Sequence, residues 1–197
     1  GVRFTAGHTS VPLPLPAPCT LFTGREPPAP RVRNNGPYIL PADETTLAEV
    51  FQKAGFSTRA MIAAFVLEGK FGLNQGFDVY DDVLEAGLEG STFNTQIGAD
   101  KVAAKARRWL DSQPSDRPCF AWLHCYAPHA PYAPPPRWAD RFPTDPYSGE
   151  IAFMDEQLGV VIDQLRERNL LDSTLLVLAG DHGEGLDEHG ERGHGVF

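Results

Sequence analysis

Positive charge is scarce in this sequence. Lys and Arg number 17 against 26 Asp and Glu, and with six neutral His the formal net charge is −9. That balance excludes a broad basic face of the kind that binds a nucleic-acid backbone. Long apolar runs are also missing: none reaches the roughly 18 residues a membrane-spanning helix requires. Cysteine is sparse, with Cys19, Cys119 and Cys125 only. An odd count in a chain this long is not a disulfide framework. Cys119 and Cys125 on one strand would sit roughly 20 Å apart, too far to bridge.

Proline is absent from 42–113 and from 147–197. All 18 prolines fall in two blocks, Pro12 to Pro41 and Pro114 to Pro146. Because proline lacks an amide donor and breaks regular elements, those blocks read as loop, and the proline-free runs carry much of the regular structure. The 197 residues suffice for one sizeable domain. The first residue is Gly1, and His194-Gly195-Val196-Phe197 ends the sequence inside a polar motif. The expectation is therefore a piece, 1–197, of a larger domain, cut at both ends. No leader peptide is readable, and compartment is left open.

Leu47, Val50, Phe51 and Ala54 recur at helical spacing and predict a helix from about Thr45 to Ala54, stopped by Gly55. Ser57–Ala64 reads as a strand, and Phe77–Asp82 as a short extended piece. Asn94 is a candidate cap for a helix to about Ser112, with Ile97, Val102, Ala106, Trp109 and Leu110 on its apolar face. Cys119–His124 reads as a buried strand. Ile151, Met154, Leu158, Val161, Ile162 and Leu165 predict a long amphipathic helix over Ser148–Arg168. Thr174–Ala179 is the clearest buried strand of the sequence. Apolar strands alternating with helices predict an α/β fold, a mostly parallel sheet with helices on both faces.

In such sheets ligands lie beyond the carboxyl ends of strands. Two predicted strands run into polar clusters there. One is Pro128-His129-Ala130-Pro131-Tyr132, where prolines hold His129 in a stiff loop suited to contacting an anion or passing a proton. The other is 181–194, with three His and five carboxylates in fourteen residues. Adjacent Asp181 and His182 offer O and N donors to a divalent metal. Residue type alone leaves the blander readings open: an acidic solvated loop at 181–194 and an ordinary surface histidine at 129.

Five segments in order resemble the sulfatase family of the alkaline-phosphatase-like superfamily: Gly1–Thr5, Leu21-Phe22-Thr23-Gly24, Phe71–Asp78, Pro128–Tyr132, and Asp181–Glu184 with Glu188–Glu191. The resemblance spans nearly the whole sequence. It implies hydrolysis of a sulfate or phosphate ester, on a small molecule or a glycan, with one divalent metal. Calcium is the metal the family suggests first, with manganese, magnesium or zinc as alternatives.

By position, Asp181 and His182 match half of the metal site, and His129 matches the histidine that contacts the sulfuryl or phosphoryl oxygens. His194 falls where many members place an anion-binding lysine. It does that work only when protonated, which nearby Glu191 and Asp187 favour. Pro14 falls on the nucleophile position and has no attacking atom. Cys19, Ser10 and Thr20 lack the surrounding motif, and Ala127 stands where relatives often have Asp. The family's early Asp pair, on its first strand, would precede Gly1, so the resemblance implies a partial catalytic domain, 1–197, lacking its first strand and its C-terminal part. The resulting expectation is a sulfatase-type hydrolase domain, inactive in this sequence. The alternatives are a non-catalytic metal- and anion-binding relic, or a phosphoryl-group transferase of the same superfamily.

Overall fold

A computed structural model describes residues 1–27, 29–84, 95–113, 117–188 and 190–195. Its frame is a three-stranded parallel sheet: β1 (Ser57–Met61) lies between β2 (Val79–Asp81) and β3 (Cys119–Leu123). Arg59 pairs with Val79 on one side and Ala121 on the other. Side chains alternate across a strand, so β1 feeds two cores. Ala60 and Ile62 join the cluster around Leu15, Phe22, Leu40 and Leu67. Met61 and Ala63 join the opposite cluster, around Val102, Ala106, Trp109 and Leu165.

Helices cover both faces. On one side lie α1 (Pro16–Thr23) and α2 (Leu47–Lys53). On the other, α3 (Ala99–Ser112) packs on α5 (Pro146–Glu167). Gln164 of α5 ties the pair, donating to Asp111 Oδ1 at 2.6 Å and to the Arg107 carbonyl at 3.3 Å. The short α4 (Pro136–Arg141) leads into α5. The α/β class with a parallel sheet between helices is as the sequence implies.

Several local expectations need correction. The α2 helix begins after Thr46, whose hydroxyl and Glu49 form a reciprocal capping box. Its periodic face is only partly inward: Leu47 is 39% and Val50 53% exposed, whereas Ala48 is fully buried. Phe51 does face the sheet, stacking on Phe120 at 4.5 Å. The helix expected to start at Asn94 starts after Gly98, and Asn94 itself lies outside the described residues. β3 is not fully buried. Among the described residues it pairs with β1 alone, and Cys119 and Ala121, which share one face of the strand, are exposed. Thr174–Ala179 forms no ladder among the described residues, and Leu175, Val177 and Leu178 are 88%, 79% and 82% exposed.

The segment Phe71–Asp78 is a structural clamp. The Gln75 amide donates to the Gly72 carbonyl at 2.7 Å and the Leu40 carbonyl at 3.2 Å. Asp78 accepts from the Thr58 amide and from Gln52, locking the start of β1 to the lead-in of β2. Those hydrogen bonds, Gln52's first, hold the Asp78 carboxyl below the usual carboxylate range.

Candidate functional site

The carboxyl end of β3 and the 181–195 segment meet beyond the sheet. Past β3 the chain runs through Tyr126 to His129. Glu150 of α5, which is 9% exposed, holds this turn by accepting the His129 amide at 3.1 Å and the Ala133 amide at 2.8 Å. After α5, Asp181 and His182 lead into an antiparallel pair, β4 (Gly185–Leu186) and β5 (Arg192–Gly193), which returns the chain to His194. His189 lies outside the described residues.

The structure brings three of the four expected site side chains into a row, with Asp181 beside the third. The His129 and His194 ring centroids are 5.0 Å apart, and those of His194 and His182 are 4.5 Å apart. Asp181 Oδ2 lies 3.8 Å from His182 Nε2. Each imidazole is anchored through Nδ1 to an oxygen: His129 to the Ala130 carbonyl at 2.7 Å, His182 to the Gly183 carbonyl at 2.9 Å, and His194 to Glu184 Oε2 at 3.2 Å. A carbonyl or carboxylate oxygen only accepts, so Nδ1 carries hydrogen in each ring, leaving Nε2 as the nitrogen for further contacts.

The carboxylate that meets His194 is Glu184, rather than Glu191 or Asp187. Asp187 is taken by Arg192 across the hairpin at 2.8 Å. The Glu184 side chain is 6% exposed, and among the described residues its Oε1 has no hydrogen-bond partner. His124, at the end of β3, is pushed down to about 4 by burial, against the pull of Asp181, and its shielded Nδ1 has no hydrogen-bond partner among the described residues. Burial also pushes His129 below its ordinary value. Beside His129 and Glu150 opens a cavity of about 280 Å³.

The Pro14 segment borders this site. A Cβ on Gly195 would come within 2.7 Å of Leu13 Cδ2, so the chain entering α1 packs against the His194 loop. The three hydroxyl and thiol candidates read from the sequence are each hydrogen-bonded or buried. Ser10 donates to Glu26, and Thr20 donates back to the Pro16 carbonyl. Cys19 is fully buried, and burial pushes its thiol up to about 12.

Tyr126, Glu150 and Glu184 were not identified from the sequence. Glu184 stands within the Asp-His-Gly-Glu run and carried a signal. Glu150 has none, because only the fold brings α5 under the His129 turn.

The arrangement joins a parallel α/β sheet to a cluster of histidines and carboxylates beyond its strand ends. The sulfatase family model matches residues 1–196, and the chain belongs to the sulfatase family. It is 23% identical to the uncharacterized sulfatase YdeN of Escherichia coli over 95% of this chain and 42% of that protein. It is 24% identical to the ulvan-active sulfatase of Formosa agariphila, over 93% of this chain and 43% of the relative. The phosphonate monoester hydrolase of Agrobacterium radiobacter superposes with a TM-score of 0.73 at 19% identity, covering 96% of this chain and 57% of that one. The chain thus spans about two fifths of the length of these curated relatives.

Sulfatases use a divalent metal. Asp181 and His182 fit one side of such a site: a carboxylate oxygen and an Nε2 with its lone pair free, on adjacent residues. Among the described residues no group of three or more His, Cys, Asp or Glu closes around a metal position.

Proposed function

We propose that this chain supplies the anion-facing wall of a sulfate-ester hydrolase site, on a small-molecule or glycan ester, and that it turns over no ester itself. The observation that carries this reading is the row of imidazoles, each fixed through Nδ1, with Nε2 of His182 and His194 available and that of His129 met by the Tyr126 hydroxyl. His129 and His194 face the non-bridging oxygens, where donors offset charge that grows in the transition state. Glu184 orients His194 by accepting from its Nδ1. Asp181 and His182 hold one divalent cation, calcium by family habit, which supplies further charge neutralisation at the ester oxygens.

Attack is the step that fails. Pro14 stands at the nucleophile position, and its ring has no oxygen or sulfur to deliver. Cys19 is a buried thiol, and Thr20 and Ser10 are already donating elsewhere. The non-catalytic anion- and metal-binding reading therefore outranks the phosphoryl-transferase reading, which also requires a free hydroxyl.

Turnover of nitrophenyl sulfate and nitrophenyl phosphate tests this, with His129→Ala as control. Hydrolysis is expected at the buffer rate for both chains. Turnover that His129→Ala abolishes would overturn the inactive assignment and reveal another attacking group.

A further inference from the structure

His129 differs from the other two imidazoles in what its Nε2 meets. The Tyr126 hydroxyl oxygen lies 2.9 Å from it, and the two rings stack with centroids 4.2 Å apart and planes 24° from parallel. The Ala130 carbonyl at 2.7 Å from Nδ1 offers only lone pairs, so that nitrogen carries hydrogen. Burial and, next, the charge of Glu184 push the Tyr126 phenol up to about 12, so it keeps its proton and donates. The pair is therefore Tyr126 O–H to a neutral imidazole, and both His129 ring nitrogens are committed.

We propose that Tyr126 is a positioning residue that holds His129 in the neutral Nδ1–H tautomer and makes oxyanion binding at His129 depend on proton uptake. The inference deepens the function proposed above and rests on His129 facing the anion. A sulfate oxygen offers lone pairs and needs a donor. While Tyr126 occupies Nε2, the ring presents none. When Nε2 takes a proton from solvent, the Tyr126 hydroxyl loses its acceptor and turns away, and the new N–H points at the anion. No covalent bond other than this N–H forms or breaks.

The charged and titratable groups around His129 come from three elements. Glu184, on the 181–195 segment, favours the protonated ring. His182 and His194 on the same segment oppose it when charged. Glu150 on α5 is bound to the His129 amide, and Tyr126 belongs to the same turn.

The test uses the chain with 15N-labelled histidine, long-range proton–nitrogen correlation spectra and inorganic sulfate as the probe. The unaltered chain is expected to show the Nδ1–H tautomer at pH 7, a titration midpoint below 6.5, and sulfate affinity that rises as pH falls through that midpoint. Tyr126→Phe keeps the ring and the stack but removes the donor. It is expected to raise the midpoint and to tighten sulfate binding at pH 7 by about fivefold, the weight of one ordinary hydrogen bond.

An Nε2–H or charged His129 at pH 7 in the unaltered chain overturns the proposal without any variant. So does a Tyr126→Phe chain with an unchanged midpoint. If the His129 signals ignore sulfate at every pH while the midpoint still responds to Tyr126→Phe, the anion-facing reading fails. The proton dependence of anion binding then falls with it, and the tautomer assignment stands.

Discussion

At the scale of single residues, the family-like motifs divide into two kinds of work. Asp181, His182, His129 and His194 converge on one surface, whereas Phe71–Asp78 holds the sheet together. Gly76 shows how tight that clamp is. Its φ is +83°, and a Cβ there would lie 2.1 Å from the Glu49 amide nitrogen, inside the first turn of α2. Backbone cannot yield as a side-chain tip does, so Gly76→Ala combines left-handed strain with a clash against a helix start. A loss of at least about 2 kcal/mol in unfolding free energy is expected from urea denaturation, in line with other strained backbone sites. An unchanged midpoint would mean that the α2 contact is looser than the structure has it. His129 was legible as a candidate site residue because prolines on both sides mark a stiff loop past a strand. Its partners were not, since Tyr126 reads as one more aromatic and Glu150 as one more surface carboxylate on a helix.

At the scale of elements, periodicity located helices and strands well but not their surroundings. α3 is the clearest case: Val102, Ala106, Trp109 and Leu110 on it, and Ile97 just before it, all chosen on spacing, are buried. The run Thr174–Ala179 is the opposite case. Its composition specifies a strand with two buried faces, but burial requires neighbouring strands, and no described strand lies beside it. Leu175, Leu176, Val177 and Leu178 consequently face solvent as a contiguous apolar stretch. Extended apolar backbone with unpaired amides is a template for pairing with another chain. The chain alone is expected to self-associate as concentration rises, with Val177→Lys reducing association by placing a charge in the run. Sedimentation velocity over a hundredfold concentration range measures this. A concentration-independent monomer in the unaltered chain would show that the run is covered in solution.

At the scale of the whole molecule, a net charge of −9 surrounds a site proposed to hold an anion. Long-range attraction therefore does not gather an anion, and binding must come from short-range donors and from the cation proposed for Asp181 and His182. That places weight on the metal. Two adjacent protein donors leave most of a divalent ion's coordination to water, and a mostly hydrated ion gains little over free solution. Negative surroundings add a modest, salt-screened attraction that does not distinguish one divalent ion from another. Titration calorimetry with calcium, manganese and zinc is expected to give dissociation constants weaker than micromolar for all three. The Asp181→Ala chain should lose the residual signal, because His182 alone offers one nitrogen. His182→Ala should spare calcium more than zinc, since a hard ion depends on the carboxylate and zinc gains more from imidazole. Micromolar or tighter binding that survives Asp181→Ala would place the cation elsewhere. Tight binding that Asp181→Ala abolishes would mean that further donors join Asp181 and His182, with the buried, unpaired Oε1 of Glu184 the first candidate.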